Sequence, residues 1–257
     1  MKKFFYTLAA ALLFACFAPR GGAAQDASPN RPVAGWSKAE VERFLNDSPW
    51  ARSQTVKIHG ERRRQAVAGA PMSEAGTVRA EVGSAEAPVD FTFTLRLRSA
   101  RPVREALLRQ RQLAAGYDRM NAKERAAFDA DPKNRGLLEC PACAENYVLT
   151  LSAKSKEAPG ADPVFATFKG ARLADLQRYV YLADETGARR QLVHFVAPRA
   201  PGEEAVFFFP RAGADGAPLF TPRSRELRFN VTENQVNNVV NFVVDVAPLV
   251  SGGALEF

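Results

Sequence analysis

A pair of cysteines carries the most specific chemical signal in this sequence. Cys140 and Cys143 enclose a proline and an alanine, and they are the cysteines that remain if Cys16 leaves with an N-terminal leader. In an oxidising compartment, two cysteines at this spacing most often form a local disulfide. A redox role is disfavoured because residues 137–139 are apolar or acidic and would not stabilise a thiolate. We predict a Cys140–Cys143 disulfide that braces a turn.

Zinc binding is the alternative for the same cysteines. The chain contains two histidines, His59 and His194, and two cysteines with two histidines form a valid tetrahedral set. The histidines are not paired in the sequence, however, and exported thiols tend to oxidise. His194 lies between Leu192 and Val196 on one face of a predicted strand, where a packed histidine is more common than a catalytic base. We predict no metal and no other cofactor.

Arginines gather where a predicted strand leads into a predicted helix. Guanidinium groups bind phosphate and carboxylate in a bidentate manner, so an anionic component of the cell envelope is one candidate partner. Only Arg104 and Arg111, seven residues apart, share an edge of the helix, and an ordinary solvated face would give the same pattern. Both interpretations stay open. The candidate anion-binding residues are Arg96, Arg98, Arg101, Arg104 and Arg111.

Catalytic motifs are missing from the sequence. There is no Gly-x-Ser-x-Gly elbow, no Ser-x-x-Lys, no His-Glu-x-x-His and no P-loop. We therefore predict a non-catalytic binding or cell-envelope interaction module. A hydrolase of envelope polymers is the alternative, because two carboxylates on different strands would leave no local motif. A small outer-membrane β-barrel is a second alternative, suggested by the aromatic C-terminal residue, Phe257.

The N-terminal segment has the order of an export signal. Lys2 and Lys3 precede an apolar stretch over residues 4–18, and small residues follow at 22–24. We predict a signal peptide over residues 1–24, a flexible leader over 25–35, and a periplasmic or secreted product. Lipid attachment at Cys16 is a minor alternative, since residues 13–16 resemble a lipidation box.

The net charge bears on nucleic-acid binding, and the hydropathy bears on transmembrane helices. The formal charge of +7 falls by three, to +4, once Lys2, Lys3 and Arg20 leave with the signal peptide. A mild positive charge on an exported protein gives little support to nucleic-acid binding, and we predict none. Beyond the leader, no run of ~18 apolar residues predicts a transmembrane helix.

Helical segments are predicted before and within a series of strands. Ser37 and Glu40 form a capping box at the start of a short helix, which Pro49 ends. A helical insertion is expected over about residues 102–139, including a helix from about 122 to 130 with Asn121 and Glu124 as its capping box. Arg101, Arg104 and Arg111 should lie at the start of this insertion, and the cysteine pair should lie at its end.

Alternation of apolar and polar residues predicts the strands. It is clearest over residues 91–98, and strands return from Tyr147 onward. Residues 191–196 are predicted as the second strand of a hairpin whose turn contains Gly187. The predicted fold class is mainly β (α+β): an antiparallel β-sandwich or open barrel with a short N-terminal helix and a helical insertion between strands. Residues 36–257 are expected to form a single domain.

Three short motifs resemble an exported acidobacterial protein family. The chain departs from that family near its C-terminus, where asparagines stand in place of a basic strand. The resemblance implies export, and it supplies no activity, cofactor or site residue. The motifs are Ser48-Pro49-Trp50-Ala51, Ser99-Ala100-Arg101-Pro102-Val103-Arg104 and Phe208-Phe209-Pro210-Arg211, and the departing residues are Asn237, Asn238 and Asn241.

Overall fold

The computed structural model describes residues 32–58, 87–234 and 237–257 of the chain. The predicted signal peptide, the alternative lipidation site at Cys16, most of the leader over 25–35, and His59 lie outside the described residues. The described part contains the cysteine pair and all five candidate arginines.

Helix α1 (Lys38–Asn46) begins at the capping box. The Ser37 hydroxyl accepts a hydrogen bond from the Glu40 amide at 3.3 Å, and the Glu40 carboxylate accepts one from the Ser37 amide at 2.7 Å. Trp36 packs against Phe44, with ring centroids 5.0 Å apart, and both rings are buried. The predicted N-terminal helix is confirmed, and aromatic packing fixes it to the core.

A five-stranded antiparallel sheet forms one layer of the fold. The apolar residues of β2 (Val89–Leu97) point into the core, so Arg96 falls on the outer face of the sheet, and Arg98 follows in the turn after the strand. In spatial order the strands are β1 (Ala51–Ile58), β2 (Val89–Leu97), β3 (Asn146–Lys154), β7 (Ala205–Pro210) and β6 (His194–Val196).

A four-stranded antiparallel sheet forms the second layer. Phe207 of the first sheet contacts Phe229 of the second, with ring centroids 5.3 Å apart, and both are fully buried. The predicted β-rich sandwich is confirmed. The strands of the second sheet are β5 (Arg189–Gln191), β4 (Val180–Asp184), β8 (Glu226–Asn234) and β9 (Asn237–Asp245).

The single strand predicted over residues 191–196 is wrong. Gly187 turns the chain with a φ of 88°, as a hairpin requires, and β5 pairs with β4. The chain then leaves that sheet, and β6 joins the other sheet beside β7. Leu192 is buried between the two strands, whereas His194 is exposed. Residues 189–196 therefore contribute one short strand to each of the two sheets.

The helical insertion lies between β2 and β3, as predicted. Helix α2 ends at Gly116, whose φ of 71° gives the left-handed cap that favours glycine. Asn121 caps helix α3, and Asp131 caps helix α4. The insertion comprises α2 (Arg101–Ala115), α3 (Ala122–Ala130), α4 (Pro132–Glu139) and a 3-10 turn (Pro141–Cys143).

Short elements complete the described chain. Two small helices, α5 (Pro163–Phe168) and α6 (Leu173–Leu176), connect β3 to β4 and were not predicted. The C-terminal Phe257 is 3% exposed and packs against Tyr147, with ring centroids 5.5 Å apart. In the portion of the chain that the structure describes, no helix has the length and apolar character needed to cross a membrane.

Candidate anion-binding site

The Cys140–Cys143 disulfide joins the end of α4 to the start of β3. The two Cα atoms are 5.4 Å apart, which is the usual separation for a disulfide. Cys143 is buried against Val148 and Val206, whose side chains belong to the outer face of the five-stranded sheet. The predicted disulfide is therefore confirmed, and it fastens the helical insertion to that face.

The backbone of this turn is held in an unusual conformation. Cys140 ends α4 with a φ of 38°, in the left-handed region that residues with a side chain rarely adopt. The Cys143 amide donates to the Cys140 carbonyl at 2.8 Å. The Cys143 carbonyl accepts a hydrogen bond from Arg211 Nε at 3.0 Å. The disulfide turn thus positions an arginine that is distant in sequence.

Arg211 is the site residue that sequence reasoning missed. Its guanidinium lies over the Tyr147 ring, 4.6 Å from the ring centroid, in a cation-π contact. Burial lowers its pKa, and Tyr147 partly opposes this effect. The sequence does show Arg211 directly after strand β7, but only the pairing of β7 with β3 brings it beside the disulfide turn.

Arg104 faces the same region from the first turns of α2. Its Nε is buried and makes no hydrogen bond to any residue that the structure describes. Burial is the main cause that lowers its pKa; the positive charges of Arg101 and Arg211 add to this effect, and Glu105 opposes it. The N-terminus of α2 is also positive, because Ala100 offers no side-chain cap and the first turn contains no acidic residue. Positive charge is therefore concentrated around Arg104.

Arg98 and Arg111 form a second pair of neighbouring arginines. Arg98 is partly buried at the end of β2, and its guanidinium makes no hydrogen bond within the described ranges. Burial is the main cause that lowers its pKa; Glu204 opposes this and Arg111 adds to it. Arg111 is exposed, and one of its terminal nitrogens donates to the Lys133 carbonyl at 3.0 Å. Its remaining N–H groups are available to a ligand.

Arg96 does not belong to this group, although it lies two residues before Arg98. Its guanidinium is paired with Glu204 and donates to Asn46 Oδ1 at 3.0 Å and to Ser152 Oγ at 3.3 Å. Its Nε donates to the Leu45 carbonyl. All these donors are used within the protein, so the assignment of Arg96 to an anion site is not supported by its surroundings.

Two further arginines of α2 are also occupied. Arg101 is mostly exposed and pairs with Glu105, one turn away, at 2.8 Å. Arg109 is buried, and it forms a bidentate pair with Asp118 at 2.8 Å while its Nε donates to the Trp36 carbonyl at 3.0 Å. Arg101 therefore uses its Nε in an ion pair at an exposed position. Arg109 fixes α2 to the N-terminal segment.

We call Arg98, Arg104, Arg111 and Arg211 the arginine cluster. The nearest carboxylates, Glu204 and Glu105, are engaged by arginines outside it. Both carboxylates also act on Arg98 and Arg104 through their charge, but the cluster keeps a net positive charge, and its guanidinium groups retain N–H donors. This arrangement can bind carboxylate, sulfate or phosphate groups.

The zinc alternative loses its thiol ligands in this structure. Both cysteine sulfurs are in the disulfide, so neither is a thiolate. His194 is exposed and packs against Phe208, with ring centroids 4.9 Å apart. Over the described ranges, no three or more His, Cys, Asp and Glu side chains are grouped so as to hold a metal ion.

Comparison of the chain with protein-family models, with curated proteins and with solved structures finds no match. The fold and the arginine cluster together define a β-sandwich with a basic site beside a disulfide turn.

The cluster should reduce the stability of the protein when no ligand is present. We expect Arg104→Met to raise the free energy of unfolding by roughly 0.5–1 kcal/mol, because methionine removes a buried donor that has no partner. Urea unfolding followed by circular dichroism measures this effect. Arg101→Met is the matched control and should change stability by less than about 0.5 kcal/mol, since its ion pair is exposed. A less stable Arg104→Met variant would contradict the assignment.

Proposed function

We propose that this chain is an exported, non-catalytic module that binds an anionic component of the cell envelope through the arginine cluster. One observation carries the proposal. Arg98 and Arg104 are both partly buried, yet neither guanidinium has a hydrogen-bond partner in the described part of the chain. Moving a charged group out of water costs free energy, and an anionic ligand that pairs with the group would offset this cost.

The surroundings of the cluster support a binding role over simple solubility. An arginine that serves solubility extends into water or pairs at the surface, as Arg101 does. Arg211 instead is held by the Cys143 carbonyl and the Tyr147 ring, which fixes its direction at little further entropic cost on binding. A preorganised guanidinium of this kind suits recognition of an anion.

Export rests on the sequence. The charged, apolar and small-residue order of the first 24 residues supports it, as does the resemblance to exported acidobacterial proteins. An oxidising compartment would also maintain the Cys140–Cys143 disulfide beside the cluster.

The test is direct binding of the mature chain, residues 25–257, to a fluorescently labelled acidic glycan such as a long oligogalacturonate. Binding should weaken as salt is raised, because the interaction is between charges. The Arg104→Glu, Arg111→Glu double variant should bind about tenfold more weakly or worse, since it converts two attractive contacts into repulsive ones.

A control with the same change in charge separates the site from the overall field. Arg178→Glu, Arg223→Glu alters two exposed arginines that precede strands β4 and β8 of the other sheet. It should retain most of the affinity. An equal loss of affinity in both double variants would contradict the proposal. So would an unchanged affinity in the Arg104, Arg111 variant, if circular dichroism shows that its fold is intact. In either case the cluster would be an ordinary solvated surface.

A further inference from the structure

The arginine cluster is divided into two pairs along helix α2. Arg104 and Arg111 lie seven residues apart, which places them on one edge of the helix and about 10 Å apart along its axis. The charge of Arg211 acts on Arg104, and the charge of Arg111 acts on Arg98. The cluster therefore offers two points, along one edge of α2, at which negatively charged groups can bind.

The hydrogen bonds that hold Arg111 and Arg211 indicate a similar separation between the two pairs. Arg111 is held at the start of α4 by the Lys133 carbonyl, while Arg211 is held beyond the end of α4 by the Cys143 carbonyl. Helix α4 has eight residues and spans about 12 Å. Helices α2 and α4 pack side by side. The two anchors thus lie at opposite ends of α4, in agreement with the spacing along α2.

Resting on the proposed function, we propose that the ligand is a linear acidic glycan whose successive anionic groups bind both arginine pairs at once. A single carboxylate or phosphate accepts hydrogen bonds at about 3 Å and cannot reach two points about 10 Å apart. A chain with regularly repeated charges can occupy both points.

The partial burial of three of the four arginines favours a single polymer chain over a flat membrane surface. Arg98 is partly buried just after β2, and Arg211 lies against the Tyr147 ring. Lysines and arginines that attach proteins to lipid head groups project from the surface, where many charges share the contact. Arg104 and Arg111 follow one edge of α2, and this arrangement suits an extended chain.

Binding at two points predicts a step in affinity with ligand length. Once a chain spans both pairs, its second contact is intramolecular and benefits from a high effective concentration. We expect long oligogalacturonates to bind at least about tenfold more tightly than short ones, with the step where the oligomer reaches about 10 Å. An uncharged oligosaccharide of the same length should not bind.

Two variants remove one pair each: Arg98→Gln, Arg111→Gln and Arg104→Gln, Arg211→Gln. Each should reduce the affinity for the long oligomer to the level that the wild type shows for the short one. Arg104→Gln alone serves if the Arg211 variant fails to fold, because the Arg104 guanidinium has no hydrogen bond to lose among the described residues. Near-ultraviolet circular dichroism checks the fold.

The outcomes separate this inference from the proposed function. Equal affinity for short and long oligomers, abolished by either pair variant, would overturn the two-point arrangement and leave anion binding in place. Failure of every anionic probe to bind would overturn both. Polyphosphate, single-stranded DNA and anionic vesicles are tested in parallel, and tighter binding to any of them than to the glycan would overturn the assignment to an acidic glycan.

Discussion

Replacement of Arg96 by alanine is expected to lower the free energy of unfolding by about 2–4 kcal/mol. The side chain is only 12% exposed, and it connects the C-terminal end of α1 with Ser152 of β3 and with Glu204 just before β7. Its removal leaves the Glu204 carboxylate without its cation in a partly buried position. Urea unfolding at neutral pH measures the loss.

A double-mutant cycle assigns that loss to the ion pair. Glu204→Gln alone should also destabilise, and the double variant should lose less than the sum of the two single losses, because the second change removes a partner that is already absent. Arg101→Ala provides the comparison with an exposed pair and should lose less than about 1 kcal/mol. Additive losses, or equal losses at Arg96 and Arg101, would contradict the structural role of Arg96.

Arg96 and Arg98 show why the sequence could not separate structural from available arginines. Alternation along β2 places Arg96 on the outer face of the sheet, and Arg98 follows in the turn after the strand. Glu204 bonds to Arg96 but acts on Arg98 only through its charge. It is 108 residues away from Arg96 and approaches it because β7 lies beside β3. The order of strands in a sheet depends on the whole chain, so no local pattern of residues contains it.

Features with a local cause were predicted correctly. The capping boxes at Ser37 and Asn121 each depend on residues three apart, and the disulfide joins residues three apart. Arg211 was missed for the opposite reason, because its partners Cys143 and Tyr147 are more than sixty residues away. The candidate site thus combines predictable local elements with a long-range pairing that only the fold supplies.

Replacement of both Cys140 and Cys143 by serine is expected to affect stability and binding together. A disulfide that closes so short a loop contributes about 2 kcal/mol through the unfolded chain. Its loss also frees Cys140 from the left-handed conformation that the turn imposes, and the Cys143 carbonyl then no longer holds Arg211 in place. We therefore expect a fall of about 2 kcal/mol in unfolding free energy and a threefold to tenfold loss of affinity for an acidic oligomer, or ~0.6–1.4 kcal/mol.

Reduction of the wild-type protein should reproduce both losses, while the serine variant should not respond to the reductant. Thiol titration of the unfolded, unreduced chain of residues 25–257, which lacks Cys16, should find no free thiol, since Cys140 and Cys143 are bonded to each other. Arg211→Gln gives the binding loss without breaking the disulfide, so its effect should not add to that of the serine variant. If the serine variant bound the oligomer as tightly as the wild type, the disulfide would brace the fold alone, and the position of Arg211 would depend on the Tyr147 ring instead.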